Sequence, residues 1–213
     1  MRKTQIIGVL LITILLVLGA CAPTPTPTPE GEQTSELAIP AHFTTYSHEG
    51  LFSISYPSDW QPATSIMEEL MEAVKKELEA RDPTADTENI GILFFGGKET
   101  LEGYYPTVSI ATDLRSAGYW TLDEVDEANS RYDRANTPGY KELSLYKVIV
   151  DGRDASILVS EDNEPGYGRW RYIQLTIVKG DFVWIVTCSS EYQDFNDYED
   201  TFNSIVRSLR ILN

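Results

Sequence analysis

The sequence predicts an α+β domain, in which a mainly antiparallel β-sheet is flanked by helices on both faces as an α/β/α sandwich. From residue 140 onward, strand-like stretches follow one another through two-residue turns, and such turns can join only antiparallel neighbours. Residues 64–81 and 197–212 carry apolar side chains with helical spacing. Apolar side chains occur on both faces of the strand predicted at residues 169–178, which indicates that both faces of the sheet are covered.

The chain of 213 residues begins with the features of an export signal. Arg2 and Lys3 precede an apolar run at residues 6–18, which is shorter than the roughly 17 to 25 apolar residues of a spanning helix. A Leu-Gly-Ala-Cys motif ending at Cys21 then resembles the bacterial lipobox, in which the cysteine becomes the lipidated first residue after cleavage. We expect residues 1–20 to be a signal peptide and Cys21 to carry lipid; an uncleaved membrane anchor is the alternative.

Residues 21–40 are predicted to form an extended spacer. Proline and threonine alternate there, and proline cannot donate the backbone hydrogen bonds of a helix or sheet. At about 3.1 Å per residue in polyproline II geometry, the spacer would hold the following domain up to roughly 50 Å from the membrane. Residues 41–213 are then expected to form one domain with its own core.

The charge of the chain restricts its partners. The formal net charge is −16 at pH 7, and removal of Arg2 and Lys3 with the signal peptide lowers it by two to −18. Nucleic acid and anionic lipid are themselves negative, so neither is an expected partner of such a surface. Membrane attachment would therefore depend on Cys21, and we expect the protein to be an extracytoplasmic, membrane-anchored lipoprotein.

The first half of the domain is predicted to contain four strands and one helix. Phe52, Ile54 and Tyr56 alternate with serines, which indicates a strand with one buried face. The apolar stripe of the helix stops before Pro83, which cannot continue a helix. The predicted order is strand 43–46, turn 47–50, strand 51–56, helix 64–81, strand 90–95, loop 98–106 and strand 107–112.

The second half begins with a helix and is otherwise mostly β. Thr121 and Glu124 have the spacing of a capping box, which predicts the start of a short helix. Cys188 shares its predicted strand face with apolar side chains, and we expect it in the core rather than as a reactive thiol. The predicted order is helix 122–132, strands 140–150 and 153–160, loop 161–168, strands 169–178 and 181–189, and the closing helix at 197–212.

The Ser-Ile-Ser-Tyr-Pro stretch at residues 53–57 with Trp60, together with the closing hairpin and helix, resembles the PsbP-like family. This family is named for the extrinsic photosystem II subunit, and its fold also occurs in a Ran-binding nuclear import factor. The resemblance covers residues 43–212 and implies the α/β/α sandwich. Because family members of known function act through protein contacts, the resemblance also implies a binding or assembly module rather than an enzyme, and the lipid on Cys21 would anchor that module.

The sequence contains no recognisable catalytic, cofactor or metal site. Its two histidines, His42 and His48, lack the spacing of a zinc pair and have no cysteine beside them. No Gly-x-Ser-x-Gly elbow of a serine hydrolase occurs, and the Gly-Gly-Lys stretch at residues 96–98 precedes Glu99 where a phosphate loop needs serine or threonine. We therefore expect neither an enzyme nor a bound cofactor.

Acidic residues leave an alternative open. Most of them cluster at the starts of predicted helices, where negative charge complements the helix dipole and faces water. The loop from Glu161 to Glu164 could instead gather oxygen ligands for calcium, although it lacks the EF-hand pattern. An extracytoplasmic ligand-binding accessory, or a hydrolase with an unrecognised acidic site, is therefore the alternative to a binding module.

Aromatic residues in predicted loops are the candidate contacts with a protein partner. Their amphipathic rings can anchor a protein, and rings on short loops lose little entropy on binding. The same rings could instead pack loops against the edges of the sheet. The candidates are Tyr119 and Trp120 before the second helix, Tyr104 and Tyr105 in the loop 98–106, and Tyr167 in the loop 161–168.

Overall fold

The computed structural model describes residues 38–81, 83, 87–100, 103–114, 120–166 and 168–212, with residues 81, 103, 104 and 164 described through their backbone alone. The predicted signal peptide, Cys21 and nearly all of the predicted spacer lie outside these residues.

Two antiparallel sheets form the β structure. The smaller sheet contains β1 (Phe43–His48), β2 (Phe52–Pro57) and β10 (Arg210–Ile211), with β2 in the middle. The larger sheet has seven strands in the order β3-β4-β5-β9-β8-β7-β6, and each neighbouring pair is antiparallel. Its strands are β3 (Gln61–Pro62), β4 (Ile90–Thr100), β5 (Gly103–Leu114), β6 (Lys141–Val150), β7 (Arg153–Glu164), β8 (Gly168–Lys179) and β9 (Phe182–Glu191).

Helices cover both faces of the larger sheet, which confirms the predicted α/β/α arrangement. On one face lie α1 (Met67–Arg81), which follows a short 3-10 helix (Thr64–Ile66), and α2 (Leu122–Asn136). We call this the α2 face. On the other face, the α3 face, lie α3 (Phe195–Arg207) and the smaller sheet.

The capping box that the sequence predicted begins α2. The hydroxyl of Thr121 accepts a hydrogen bond from the Glu124 amide at 3.3 Å, and the Glu124 carboxylate accepts one from the Thr121 amide at 2.8 Å. Two of the amides that have no partner inside the helix are thereby satisfied. The helix continues to Asn136, four residues beyond the prediction.

The main core lies between the larger sheet and the α3 face. Ile173 and Leu175 of β8 contribute to it, and so do Phe202 and Ile205 of α3. Phe52, predicted on the buried face of its strand, belongs to the same cluster, and so does Trp60. Cys188 is also fully buried there, and burial raises the pKa of its thiol, so it is a core residue as predicted.

Two predicted loops are largely strand. The loop expected at residues 98–106 is divided between β4, which continues to Thr100, and β5, which begins at Gly103. The loop expected at residues 161–168 loses its first half to β7, which continues to Glu164. Both hairpins were predicted as loops because they contain charged residues. At the end of a sheet, however, charged side chains can pair across neighbouring strands, so they do not have to indicate a loop.

The closing helix ends earlier than predicted. α3 stops at Arg207, and residues 210–211 instead pair with Phe52 and Ser53 of β2. Between the two elements, the Ser208 hydroxyl accepts a hydrogen bond from the Ser55 amide at 2.8 Å and lies 3.1 Å from the Ser55 carbonyl oxygen. The last residues therefore leave the helix to complete the smaller sheet.

Candidate binding site at one end of the sheet

Polar and aromatic side chains concentrate at one end of the larger sheet. β7 ends and β8 begins there, and the connection from α2 to β6 reaches the same place, since the Asn163 amide donates to the Pro138 carbonyl at 3.1 Å. The first turn of α3 follows the end of β9 at this end as well. We call it the Trp170 end. The opposite end of the sheet contains the β6–β7 and β8–β9 turns.

Tyr105, Trp170 and Tyr172 form an aromatic cluster at the Trp170 end. The rings of Tyr105 and Trp170 meet edge to face, with their centroids 5.8 Å apart. The Tyr105 hydroxyl donates to the Asp194 carboxylate at 2.6 Å and accepts from the Glu191 amide at 3.2 Å. Burial, followed by the hydrogen bond to Asp194, raises the pKa of Tyr105. Tyr105 thus joins the start of β5 to the start of α3.

Glu161 accepts hydrogen bonds from three basic side chains at the same end. Lys141 and Arg171 are its direct partners on β6 and β8, with nitrogen to oxygen distances of 3.3 and 3.2 Å, and Arg169 reaches it at 2.7 Å. Burial by itself raises the pKa of Glu161, but these hydrogen bonds outweigh it and lower the pKa to about 2. The carboxylate is therefore held in its charged form by cations of the chain.

The same contacts bear on the calcium alternative. Residues 161–164 belong to β7 rather than to a loop, and the carboxylate of Glu161 is occupied by Lys141, Arg169 and Arg171. In the part of the chain that the structure describes, no group of three or more His, Cys, Asp and Glu side chains is arranged to hold a metal ion.

The α2 face of the sheet contains buried polar side chains beside its apolar clusters. Asp126 of α2 accepts hydrogen bonds from Ser156 at 2.6 Å and from Lys147 at 2.7 Å. Burial raises the pKa of Asp126, against the hydrogen bonds from Lys147 and Ser156. The sequence predicts that the acidic residues at the start of this helix, Asp126 among them, face water, and that prediction is wrong for Asp126 because it faces the sheet.

A second buried carboxyl group lies two turns further along α2. Burial raises the pKa of Asp133 well above its usual range, and the nearby charges of Asp162 and Glu142 raise it further. Glu142 itself accepts hydrogen bonds from Ser130 at 2.7 Å and from Arg134 at 3.0 Å. The Trp170 end thus has a cationic group on its α3 face and an acidic group on its α2 face.

The two aromatic candidates whose side chains the structure describes, Tyr105 and Trp120, lie at different ends of the larger sheet. Tyr104 and Tyr105 belong to β5 at the Trp170 end, not to a loop. Trp120 lies near the opposite end, partly buried against the apolar cluster between α2 and β9. Tyr119, Tyr167 and the side chain of Tyr104 lie outside the described part of the structure.

Arg169, Arg171 and Tyr192 were missed as candidates. The sequence Arg-Trp-Arg at residues 169–171 contains a usable signal, because alternate residues of a strand point to one face, which brings the two arginines together. Tyr192 follows β9, and its ring lies 3.6 Å from the guanidinium of Arg169. Nothing in the local pattern predicts that contact.

Comparison with known proteins identifies the family. The profile of a family described as PsbP-like protein matches residues 6–211. The chain belongs to the PsbP-like family. Cyanobacterial PsbP (CyanoP) from a Synechocystis species is 11% identical, with a TM-score of 0.53, over 91% of this PsbP-like chain and 98% of that chain.

A second similar structure is LpqN of Mycobacterium tuberculosis, a protein involved in cell envelope biogenesis. It is 14% identical with a TM-score of 0.50, over 81% of this chain and 92% of LpqN. At such identities the likeness shows a shared fold. No curated protein sequence gives a significant match. Among the described residues of this PsbP-like protein, no helix is long and apolar enough to cross a membrane.

Proposed function

We propose that this protein is a lipid-anchored extracytoplasmic module that binds another protein through the Trp170 end. The observation that carries the proposal is an exposed ring held against arginines at that end. Tyr192 is 38% exposed, and the guanidinium groups of Arg169 and Arg171 lie 3.6 and 4.5 Å from its ring centroid. Tyrosine and arginine are among the residues that contribute most to protein interfaces, especially when they are fixed before binding.

The N-terminal segment supports the location. The Leu-Gly-Ala-Cys motif favours lipid on Cys21, and residues 22–40 are long enough to let the domain reach a partner some distance from the membrane. The role in cell envelope biogenesis given for LpqN is compatible with a PsbP-like domain that works at such a place.

Site-specific photo-crosslinking in intact cells tests the surface. A photoreactive amino acid in place of Tyr192 should give one defined protein adduct when the full chain is produced in its native cells. The same replacement of Phe182 is the matched control, because Phe182 is 43% exposed but lies at the opposite end of the sheet. Equal adducts from both positions, or none from Tyr192, would contradict binding through the Trp170 end.

The anchor is tested separately. Mass spectrometry of the membrane-bound protein should find an acylated Cys21 as the first residue, and Cys21→Ser should prevent acylation while the domain stays folded. A processed chain with an unmodified Cys21 would rule out the lipoprotein assignment.

The alternative of a hydrolase has one observation in its favour. Asp133, with its raised pKa, lies near Asp162, and two carboxyl groups with different environments can serve acid–base chemistry. Asp133 of α2 and Asp162 of β7 are both buried, so a substrate would reach them only if that helix moved. Glycan turnover by the purified chain that disappears in Asp133→Asn would favour the hydrolase; equal or absent turnover in both proteins would favour the binding module.

A further inference from the structure

A row of charged side chains crosses three strands at the Trp170 end, on the α3 face. Lys141, Glu161 and Arg171 are direct cross-strand neighbours on β6, β7 and β8, and such neighbours place their side chains on the same face. Arg169 lies two residues before Arg171 on β8 and so shares that face. We call these four residues the Glu161 row.

The Glu161 row exposes two of its cations, Lys141 and Arg169, while Arg171, with 19% of its side chain exposed, and the carboxylate of Glu161 are more buried. The side chains of Lys141 and Arg169 are 65% and 44% exposed, whereas that of Glu161 is 5% exposed. Three positive groups thus surround one negative group, in a protein whose formal net charge is −16. The row is therefore a local positive patch on an acidic molecule.

Nearby acidic groups outside the row have donors of their own. Glu191 accepts a hydrogen bond from Gln193 at 2.9 Å, and Asp194 accepts one from Tyr105 at 2.6 Å. Glu142, next to Lys141 in sequence, is paired with Arg134. Gln193 and Tyr105 are neutral donors, so Glu191 and Asp194 keep their negative charge, but the row still presents the exposed groups of Lys141 and Arg169 to solvent.

The arginines of the row are fixed in position before any ligand arrives. The Arg169 guanidinium stacks on the Tyr192 ring, and the Tyr192 amide donates to the Arg169 carbonyl at 3.0 Å, which holds the two residues together. Arg171 lies 4.5 Å from the same ring and 5.2 Å from the ring of Phe195. A guanidinium fixed in this way loses little entropy when a further group binds.

We infer that the Glu161 row binds a carboxylate of an acidic segment of the protein partner. The contacts of Glu161 show that these cations donate hydrogen bonds to a carboxylate. A second carboxylate can approach the exposed sides of Lys141 and Arg169. The inference rests on the proposed function, since it assigns the chemistry of the partner at the same end of the sheet.

The charge of the whole molecule favours an acidic peptide over an anionic membrane. A membrane surface would meet much of the acidic protein at once, and repulsion would act over a wide area. A single peptide segment meets only the row and the Tyr192 ring, and charges beyond about 8 Å are largely screened at physiological salt.

Binding of a model peptide to the full chain, kept in detergent micelles, tests the inference. In a two-dimensional NMR titration, an acetylated hexaglutamate peptide should bind with shifts around Arg169 and Tyr192, whereas a hexaglutamine peptide should not bind. Arg169→Gln should weaken hexaglutamate binding at least about tenfold, the expected effect of losing a charged hydrogen-bonding group. Arg131→Gln removes the same charge from an exposed position on α2 and should change the affinity less than about twofold.

Equal weakening by Arg169→Gln and Arg131→Gln would show a nonspecific charge effect and overturn the inference. Binding to vesicles that contain phosphatidylglycerol, without binding to hexaglutamate, would also overturn it and would indicate a membrane contact. The two proposals fail separately. A Tyr192 crosslink in cells without hexaglutamate binding would support the proposed function and exclude carboxylate binding by the Glu161 row. Hexaglutamate binding without a crosslink would support carboxylate binding by the row and exclude a protein partner at the Trp170 end.

Discussion

Replacement of Ser208 by alanine should destabilise the domain, although the change removes only one non-hydrogen atom, the hydroxyl oxygen. β10 pairs with Phe52 and Ser53 and therefore ends before it reaches Ser55, and the Ser208 hydroxyl continues the contact by accepting from the Ser55 amide at 2.8 Å. The bond is buried and joins residues 153 positions apart in the chain. Without the hydroxyl, the buried amide loses its partner, which costs about 1 to 3 kcal/mol.

Ser204→Ala is the matched control for Ser208→Ala. The Ser204 hydroxyl donates to the Asp200 carbonyl at 2.9 Å, but on the solvent side of α3, so its loss should change stability by less than about 0.5 kcal/mol. Urea unfolding of the full chain, followed by tryptophan fluorescence, gives both values, and an unchanged slope shows that the unfolding reaction is the same. If the two variants lose equal stability, the Ser208 bridge does not stabilise the junction.

Three further outcomes are expected. Phe52→Ala should destabilise the domain by about 3 to 5 kcal/mol in urea, because it empties a fully buried site, and a loss below about 1 kcal/mol would contradict that packing. Trp120→Ala should lower the melting temperature and leave the Tyr192 crosslink unchanged, because the ring packs between α2 and β9. Loss of the crosslink at unchanged stability would instead indicate that Trp120 contacts the partner. Asp133→Asn should raise the urea midpoint at pH 7, and this gain should disappear below pH 3.8. Burial raises the pKa of Asp133 in the folded state, so the carboxyl group lowers stability once the pH exceeds 3.8, its pKa in the unfolded chain. An unchanged midpoint at pH 7 would contradict this.

Local patterns predicted the elements whose causes are local. Alternating apolar residues such as Ile173, Leu175 and Ile177 gave β8, and the Thr121 hydroxyl with the Glu124 carboxylate gave the start of α2. β10 could not be predicted in this way. Arg210 and Ile211 continue the spacing of the preceding helix, and they form a strand only because β2, more than 150 residues earlier, offers an unpaired edge.

The Glu161 row shows the same division at the candidate site. Alternation along β8 is enough to place Arg169 and Arg171 on one face. For their partner Glu161 the sequence instead predicts a loop, because a polar, mostly acidic stretch before Pro165 and Gly166 is typical of one. The cations that allow a carboxylate inside a strand are on neighbouring strands, so the reason for its position is not local.

By contrast, the predicted antiparallel order of strands was enough to predict that the aromatic candidates lie at different ends of the sheet. Tyr104 and Tyr105 come before the strand predicted at residues 107–112, and Tyr119 and Trp120 come after it. Connections before and after one strand lie at opposite ends of a sheet, and the twelve residues of β5 span about 40 Å at about 3.4 Å per residue. A partner bound through one end cannot then contact the other with the same small interface. We place the proposed interface at the end of Tyr105 because the exposed Tyr192 lies there beside Arg169.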